Sequence, residues 1–272
     1  MSILFYTAVG LVAATFGSLV GLGGGIIIVP ALVYLGPLFV GESITISTAV
    51  GTSLAVLIFT ALSSTAAFMR QQRVDFRSGW LFFTTSGPAA MLGSYMTHFI
   101  DAQSFQLGFG LFMLCMSMLL IFRDRIPPLR VNWSIKRTYV DSNGHKHVYG
   151  YSIPTALLLG FLVGAISGLF GIGGGSLFVP AMVLLYRYPP HMATATSMFV
   201  ILLSSITGTV MHASLGEVDY GMVLYLAPTA IIGGLLGAKI ASKLSSTKLL
   251  WVLRISFLLI ACKMIFEGSG LT

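Results

Sequence analysis

Charge is what this sequence has least of. Asp, Glu, Lys and Arg make up 8% of its 272 residues, against 56% hydrophobic residues and a mean hydropathy of +0.93. A soluble domain carries about 25% charged residues, so a soluble globular protein is excluded and an integral membrane protein remains. Strict alternation of polar and apolar positions is also lacking, which excludes a transmembrane barrel, because its strands need that pattern. Cysteine is scarce: Cys115 and Cys262 both lie inside apolar runs, and make neither a disulfide framework nor a metal-spaced motif.

The charge-free stretches carry the organisation. Residues 1–41, 43–69, 78–100, 102–122, 147–186, 188–216 and 220–238 hold no Asp, Glu, Lys or Arg. A helix crosses a bilayer in roughly 20 apolar residues, so most of these are single spans. The stretches 1–41 and 147–186 are too long for one crossing. Each is interrupted by glycines and closed by prolines, and reads as two helical limbs joined by a break. The N-terminal stretch lacks the basic region and the small-residue cleavage site of a signal peptide.

The break recurs. Gly21-Leu-Gly-Gly-Gly-Ile-Ile-Ile-Val-Pro30 returns 150 residues later as Gly171-Ile-Gly-Gly-Gly-Ser-Leu-Phe-Val-Pro180. Thr52-Ser53 matches Thr196-Ser197, and Arg73-Val-Asp-Phe76 matches Glu217-Val-Asp-Tyr220, both at an offset of 144. Pro88 and Gly93 match Pro228 and Gly233 at an offset of 140. Landmarks kept in order with a shrinking offset indicate a duplication with drift. The expected fold is an all-α polytopic membrane protein of two inverted-topology repeats, each a broken-helix hairpin plus three transmembrane helices. The first repeat, 1–123, has its hairpin at about 2–37 and spans at about 45–69, 78–98 and 103–122. The second, 152–272, has its hairpin at about 152–187 and spans at about 191–213, 221–241 and 248–266. Between them lies a polar connector, 124–151, with an Asn143-Gly144 turn that predicts a short β-hairpin.

Inversion follows from the basic residues. If each broken segment enters and leaves on one side and the N-terminus is outside, the loops Arg70 to Arg77, Arg123 to Lys146, Arg187, and Lys239 to Arg254 all face the cytoplasm. Only Lys263 is left outside, with Glu42, Asp101, Glu217, Asp219 and Glu267. Parallel halves with a cytoplasmic N-terminus would instead place Arg187, Lys239, Lys243, Lys248 and Arg254 outside, against the positive-inside rule. The protein is therefore expected in the cytoplasmic (inner) membrane, with both termini outside and the connector cytoplasmic. The net charge of +7 orients the spans and recruits no nucleic acid.

Inverted repeats are a recurring plan of secondary transporters, which bind substrate near the midplane where broken helices meet. The expected binding groups are the backbone amides of Gly23, Gly24, Gly25 and Ile26 and of Gly173, Gly174, Gly175 and Ser176, because a helix N-terminus with exposed N–H groups is an anion site. Hydroxyls of Thr52, Ser53, Thr196 and Ser197 are expected to join them; Thr48 and Thr194 lie close by. The first limb ends at the same depth with a negative pole, so selectivity depends on whether amides or carbonyls face the cavity. Other candidates carry less. The run Met113-Leu-Cys115-Met116-Ser-Met118 offers soft ligands, but a helix scatters them around its circumference. His98, His191 and His212 are far apart in sequence, which argues against a metal site or a histidine relay. Ser204 and Ser205 sit in no nucleophile motif. Arg254 lies about 8 Å into the last span, close enough to its end to snorkel.

The two Gly-x-Gly-Gly-Gly segments with their Val-Pro, the hydroxyl residues after them, the Val-Asp-aromatic loops and the Pro-x4-Gly of the next span together resemble the TauE/SafE sulfite exporter family. Gln72-Arg73 departs from the Gly216-Glu217 of the other half. The resemblance implies a permease for small sulfur-containing anions such as sulfite or organosulfonates, with membrane lipid as its surroundings. No enzymatic activity and no cofactor are expected beyond a possible coupling H+ or Na+. An anion channel and a non-transporting scaffold are the alternatives.

Overall fold

A computed structural model of the chain describes residues 2–41, 44–122, 133–140, 146–245 and isolated positions between 247 and 262. The expected last span, Arg254 included, falls largely outside the described residues, as does the Asn143-Gly144 turn.

The first broken segment comprises α1 (Ser2–Val20) and α2 (Gly25–Pro30), which passes through a π-helical turn at Ala31–Leu35 into α3 (Gly36–Val40). Next come α4 (Ile46–Arg70), α5 (Phe76–Thr97) and α6 (Ala102–Phe122). The connector forms β1 (Ile135–Val140) and β2 (Lys146–Tyr151), an antiparallel pair that is the one departure from an all-helical fold among the described residues. The second half has α7 (Ile153–Phe170), α8 (Gly175–Leu185), α9 (Pro190–Ser214) and α10 (Tyr220–Lys243). Five of these helices, α1, α4, α7, α9 and α10, are long and apolar enough to cross a bilayer, so this is a multi-pass α-helical membrane protein. Pro30 and Pro180 occupy matching places in α2 and α8, yet α8 stays α-helical to Leu185. Proline alone therefore does not cause the π turn.

Helix starts and stops are chemically marked. Asp75 caps α5 by accepting from Ser78 N, and Asp219 caps α10 by accepting from Met222 N. Gly216 ends the α9 turn at φ +73, and Gln72 takes the same left-handed turn after α4 at φ +54. The backbone conformation is thus kept where the glycine is not.

The most extensive helix contacts all join one half to the other: α1 with α10, α5 with α7, α4 with α9, and then α4 with α10 and α5 with α9. Glycine makes the first two close, because lipid gives apolar helices little reason to associate and backbone approach has to supply it. A Cβ at Gly10 would strike Leu226 O and Thr229 Oγ1, and one at Gly160 would strike Phe82 O and Thr85 Oγ1. These neighbours correspond at the offset of 144. Gly93 packs on Ala165 O and Leu169 N, and Gly237 on Thr15 O and Leu19 N. The structural partner of Gly93 is therefore Gly237, again at 144, and the expected match with Gly233 at 140 is corrected. Side chains such as Leu4, Leu38, Phe99 and Leu224 point outward, whereas most hydroxyls of α4 and α9 are buried.

Candidate substrate site between the two helix breaks

Both breaks are built alike. α1 ends as the amides of Gly21, Leu22 and Gly23 converge on Gly17 O at 2.9, 2.7 and 3.2 Å. α7 ends as Gly171 N and Ile172 N bond to Ser167 O. Positive φ angles follow at Gly21, Gly23 and Gly24 and at Gly171, Gly173 and Gly174, a conformation that L side chains resist. The new limbs start with Ile27 and Ile28 amides on Gly24 O, and Leu177 and Phe178 amides on Gly174 O. Among the described residues, the amides of Gly24, Gly25 and Ile26 and of Gly173, Gly174, Gly175 and Ser176 have no acceptor, as the first turn of a helix requires.

The two breaks touch through main chain. A Cβ at Gly25 would collide with Gly171 O, and one at Gly175 with Gly21 O. Those two carbonyls are the negative ends of the first limbs, and each is held by a hydroxyl from the opposite half. Ser53 Oγ donates to Gly171 O at 3.0 Å, and Ser197 Oγ donates to Gly21 O at 2.9 Å. Thr52 Oγ1 accepts from Asp219 N at 3.0 Å, and Thr196 Oγ1 accepts from Asp75 N at 3.1 Å. Thr52 is early in α4 and Asp219 follows the end of α9; Thr196 is early in α9 and Asp75 follows the end of α4. The two helices therefore run antiparallel. The structure brings Ser53 and Ser197 onto the breaks, whereas Thr52 and Thr196 reach the residues that cap α10 and α5, and all four hydroxyls have a backbone-holding task. Thr48 lies apart, bonded to Thr45 Oγ1 at 2.8 Å. Thr194 Oγ1 is buried with no partner. Leu57 and Ile201, 144 apart, both face Gly23 and Gly173: Leu57 Cδ2 stands 2.8 Å from where a Cβ of Gly23 would be, and Ile201 Cγ2 2.8 Å from that of Gly173.

Two polar clusters sit at opposite ends of α4 and α9. Where α4 ends and α9 begins, Asp75 accepts from Arg137 Nη1 at 2.6 Å, from Ser78 Oγ at 2.6 Å, and from the hydroxyls of Tyr149 and Tyr188 at 3.1 Å each. Gly150 N donates to Tyr186 O, and the Arg187 guanidinium lies 5.4 Å from the Trp133 ring centre. The connector is thus docked on the loop after α8. Burial, then the Asp75 carboxylate, pushes the Tyr149 and Tyr188 hydroxyls far above the usual tyrosine range. Burial opposes the Arg137 charge, but Asp75 outweighs it and raises the guanidinium.

The other cluster corrects an expectation. His98 and His212 are not scattered: His98 Nδ1 lies 2.5 Å from Glu217 Oε1, and His212 Nδ1 lies 2.8 Å from Glu217 Oε2. Residues 98 and 217 come from different turns, so no sequence spacing signals the meeting. The Met-rich run forms no cluster either. Met113 and Ser117 are buried, while Cys115 and Met118 are exposed. Ser204 Oγ simply donates to Val200 O.

Comparison with known proteins agrees with this architecture. The family model described as sulfite exporter TauE/SafE matches residues 6–264. A Bacillus subtilis protein described as "Probable membrane transporter protein YunE" is 44% identical over 270 residues, covering 98% of this chain and 99% of the relative. A Xylella fastidiosa protein described as a "Probable membrane transporter protein" is 32% identical over 239 residues, covering 88% of this chain and 84% of the relative. A Methanocaldococcus jannaschii relative with a similar description is 28% identical over 251 residues. With a family model spanning nearly its whole length, the chain is a membrane transporter rather than an enzyme, and it belongs to the TauE/SafE sulfite exporter family.

Proposed function

We propose that the protein is a secondary transporter that moves small sulfur-containing anions, sulfite or organosulfonates, across the cytoplasmic membrane by alternating access. The anion sits between the two breaks, held by the amides of residues 23–26 and 173–176. One observation carries this reading: the carbonyls that end the first limbs, Gly21 O and Gly171 O, are already engaged by Ser197 and Ser53, whereas the amides that begin the second limbs have no acceptor among the described residues. A helix break carries both poles, and here the negative pole is covered while the positive one is available. The glycines pack on each other with no room between them, which fits a closed conformation. Separation of the halves would break the serine bonds and open the cleft.

Antiparallel α4 and α9 support the inverted arrangement, and the basic loops support an N-terminus outside with the connector cytoplasmic. With the inside negative, about 2.3 kcal/mol per charge per 100 mV favours anion exit; uptake needs a coupled cation.

The test is flux of labelled sulfite in proteoliposomes, for the parent, Gly24→Val, Gly174→Val and the double variant Ser53→Ala/Ser197→Ala. Saturable flux by the parent and at least a tenfold loss in the valine variants is expected. A Cβ at Gly24 would press on Ala13 O at 2.5 Å, so folding is checked by thermal unfolding, and the serine variant guards the conclusion by altering the site with little change of volume. Flux that does not saturate indicates a channel. No flux of any small sulfur oxyanion sinks the reading.

A further inference from the structure

The cluster of His98, Glu217 and His212 is not accounted for by the anion site. Glu217 is 8% exposed and His212 fully buried, while 53% of the His98 side chain is exposed, so the cluster reaches from the surface into the core. A carboxylate offers only acceptors, so each imidazole Nδ1 facing it carries the hydrogen. In that arrangement the cluster has one net negative charge, and the free basic atoms are the two Nε2 nitrogens. That of His212 is buried and has no hydrogen-bond partner among the described residues. An unpaired ring nitrogen costs free energy comparable to a lost hydrogen bond, and a structural ion pair alone does not require one.

Position connects the cluster to the breaks. Gly51 leaves no room beside His212 and Glu217: a Cβ there would stand 2.8 Å from His212 Cβ and would strike Glu217 O. Thr52 follows, holding Asp219 N, and Ser53 then holds Gly171 O. Three consecutive residues of α4 thus touch the histidine, the α10 cap and the second break. Further along α9 at helical spacing, Thr209 Oγ1 and Ser205 Oγ are also buried without partners, and Ser94 Oγ, likewise unpartnered, faces Gly208 between them. Other titratable or charged groups at this end are few. Asp219 before α10 and Asp101 before α6 are occupied as caps, by Met222 N and Ser104 N respectively; Tyr95 on α5 meets the Phe99 ring edge-on; α4 contributes none at Gly51. No Lys or Arg pairs with Glu217 among the described residues. No group of three His, Cys, Asp or Glu there is arranged to hold a metal ion; both rings address the carboxylate instead of a common point.

We propose that Glu217 between His98 and His212 is the proton-binding site that couples this transporter, one proton moving with each anion. The site takes the proton at His212 Nε2, which brings the cluster from one negative charge to neutral. The new N–H then lacks an acceptor in this closed conformation, so proton loading favours one in which a hydroxyl or an anion supplies it, and the two ligands bind cooperatively.

This inference rests on the transporter reading, and its test separates the two. Proteoliposomes are clamped at zero membrane potential and given an inward proton gradient of one pH unit. The probe is labelled methanesulfonate, whose own charge is constant between pH 5 and 8, with labelled sulfite in parallel. One-to-one symport predicts about tenfold accumulation and alkalinisation outside on addition of the anion. In Glu217→Gln and in His98→Gln, which alters an exposed ring and leaves the core intact, the ratio of gradient-driven accumulation to anion exchange should fall at least fivefold. Exchange without gradient-driven accumulation in the parent, accumulation driven by the opposite gradient, or an unchanged ratio in Glu217→Gln overturns the proton site and leaves the anion site standing. Absence of any exchange overturns both.

Discussion

At the scale of single residues, the glycines divide by what surrounds them. Gly175 has ordinary helical backbone, yet a methyl group there would collide with Gly21 O and stand 2.6 Å from Ile201 Cδ1. Gly216 has nothing within 4 Å but sits at φ +73. Alanine at 216 therefore meets only the left-handed penalty of about 1–2 kcal/mol. Alanine at 175 forces main chain apart and should cost more than the usual overpacking of about 1–3 kcal/mol. The expected outcome is a small fall in the detergent unfolding temperature for Gly216→Ala and a large fall, with loss of folded yield, for Gly175→Ala. Equal falls would mean that the two breaks do not touch. The glycine breaks were legible in the sequence because spacing and residue type repeat. The tasks of Ser53 and Ser197 were not, because a hydroxyl beside a break reads equally as a ligand contact or as a support. Only the position of Gly171 O and Gly21 O decides. The meeting of His98 with Glu217 and His212 was illegible for a plainer reason: the turn after α5 converges on the turn after α9 from 119 residues away, and nothing local announces it.

At the scale of elements, the connector is a docked hairpin. Its anchor is Asp75, which also caps α5, so one carboxylate ties the polar connector to the start of that helix. Burial and the Asp75 carboxylate raise the pKa of Tyr149 and Tyr188. A folded pKa above the free value near 10 means that their contribution is intact below that pH and is lost as pH climbs past it. Limited proteolysis within β1 and β2 should thus be slow and constant from pH 7 to 9 and accelerate above about 10.5. Arg137→Gln, which leaves Asp75 buried without its cation, should accelerate it severalfold at every pH. A flat rate up to pH 11 in the parent would contradict docking through the tyrosines. The hairpin was legible from its Asn-Gly turn, but its docking partners were not, since Arg137, Tyr149 and Tyr188 are unremarkable until Asp75 is placed among them.

At the scale of the whole molecule, the two halves have no separate cores. Every major helix pairing crosses between them, and among the described residues more than half of the buried polar side chains lie on the central α4 and α9. The orientation is open to direct measurement. After replacement of Cys115 and Cys262, both free and exposed, Arg187→Cys should react with an impermeant thiol reagent only from the cytoplasmic side and Ser214→Cys only from the outside. Labelling of both from one side would refute the antiparallel course of α9 relative to its surroundings. Duplication and membrane class were legible because they rest on composition and order. The interleaving of the halves was not, because periodicity says which face of a helix is apolar and is silent about which helix covers it.

The contact between the breaks has a further consequence. It is made of main chain against main chain, Gly25 on Gly171 and Gly175 on Gly21, so its geometry depends hardly at all on which side chains surround it. Leu57 and Ile201, which face both breaks, are free of that constraint. If the proposed anion site is right, replacing them should reshape the cleft for a bulkier or smaller anion while the main-chain contact stays the same. Under that proposal, a fold arranged in this way changes its cargo by a few substitutions on α4 and α9 and keeps its joint.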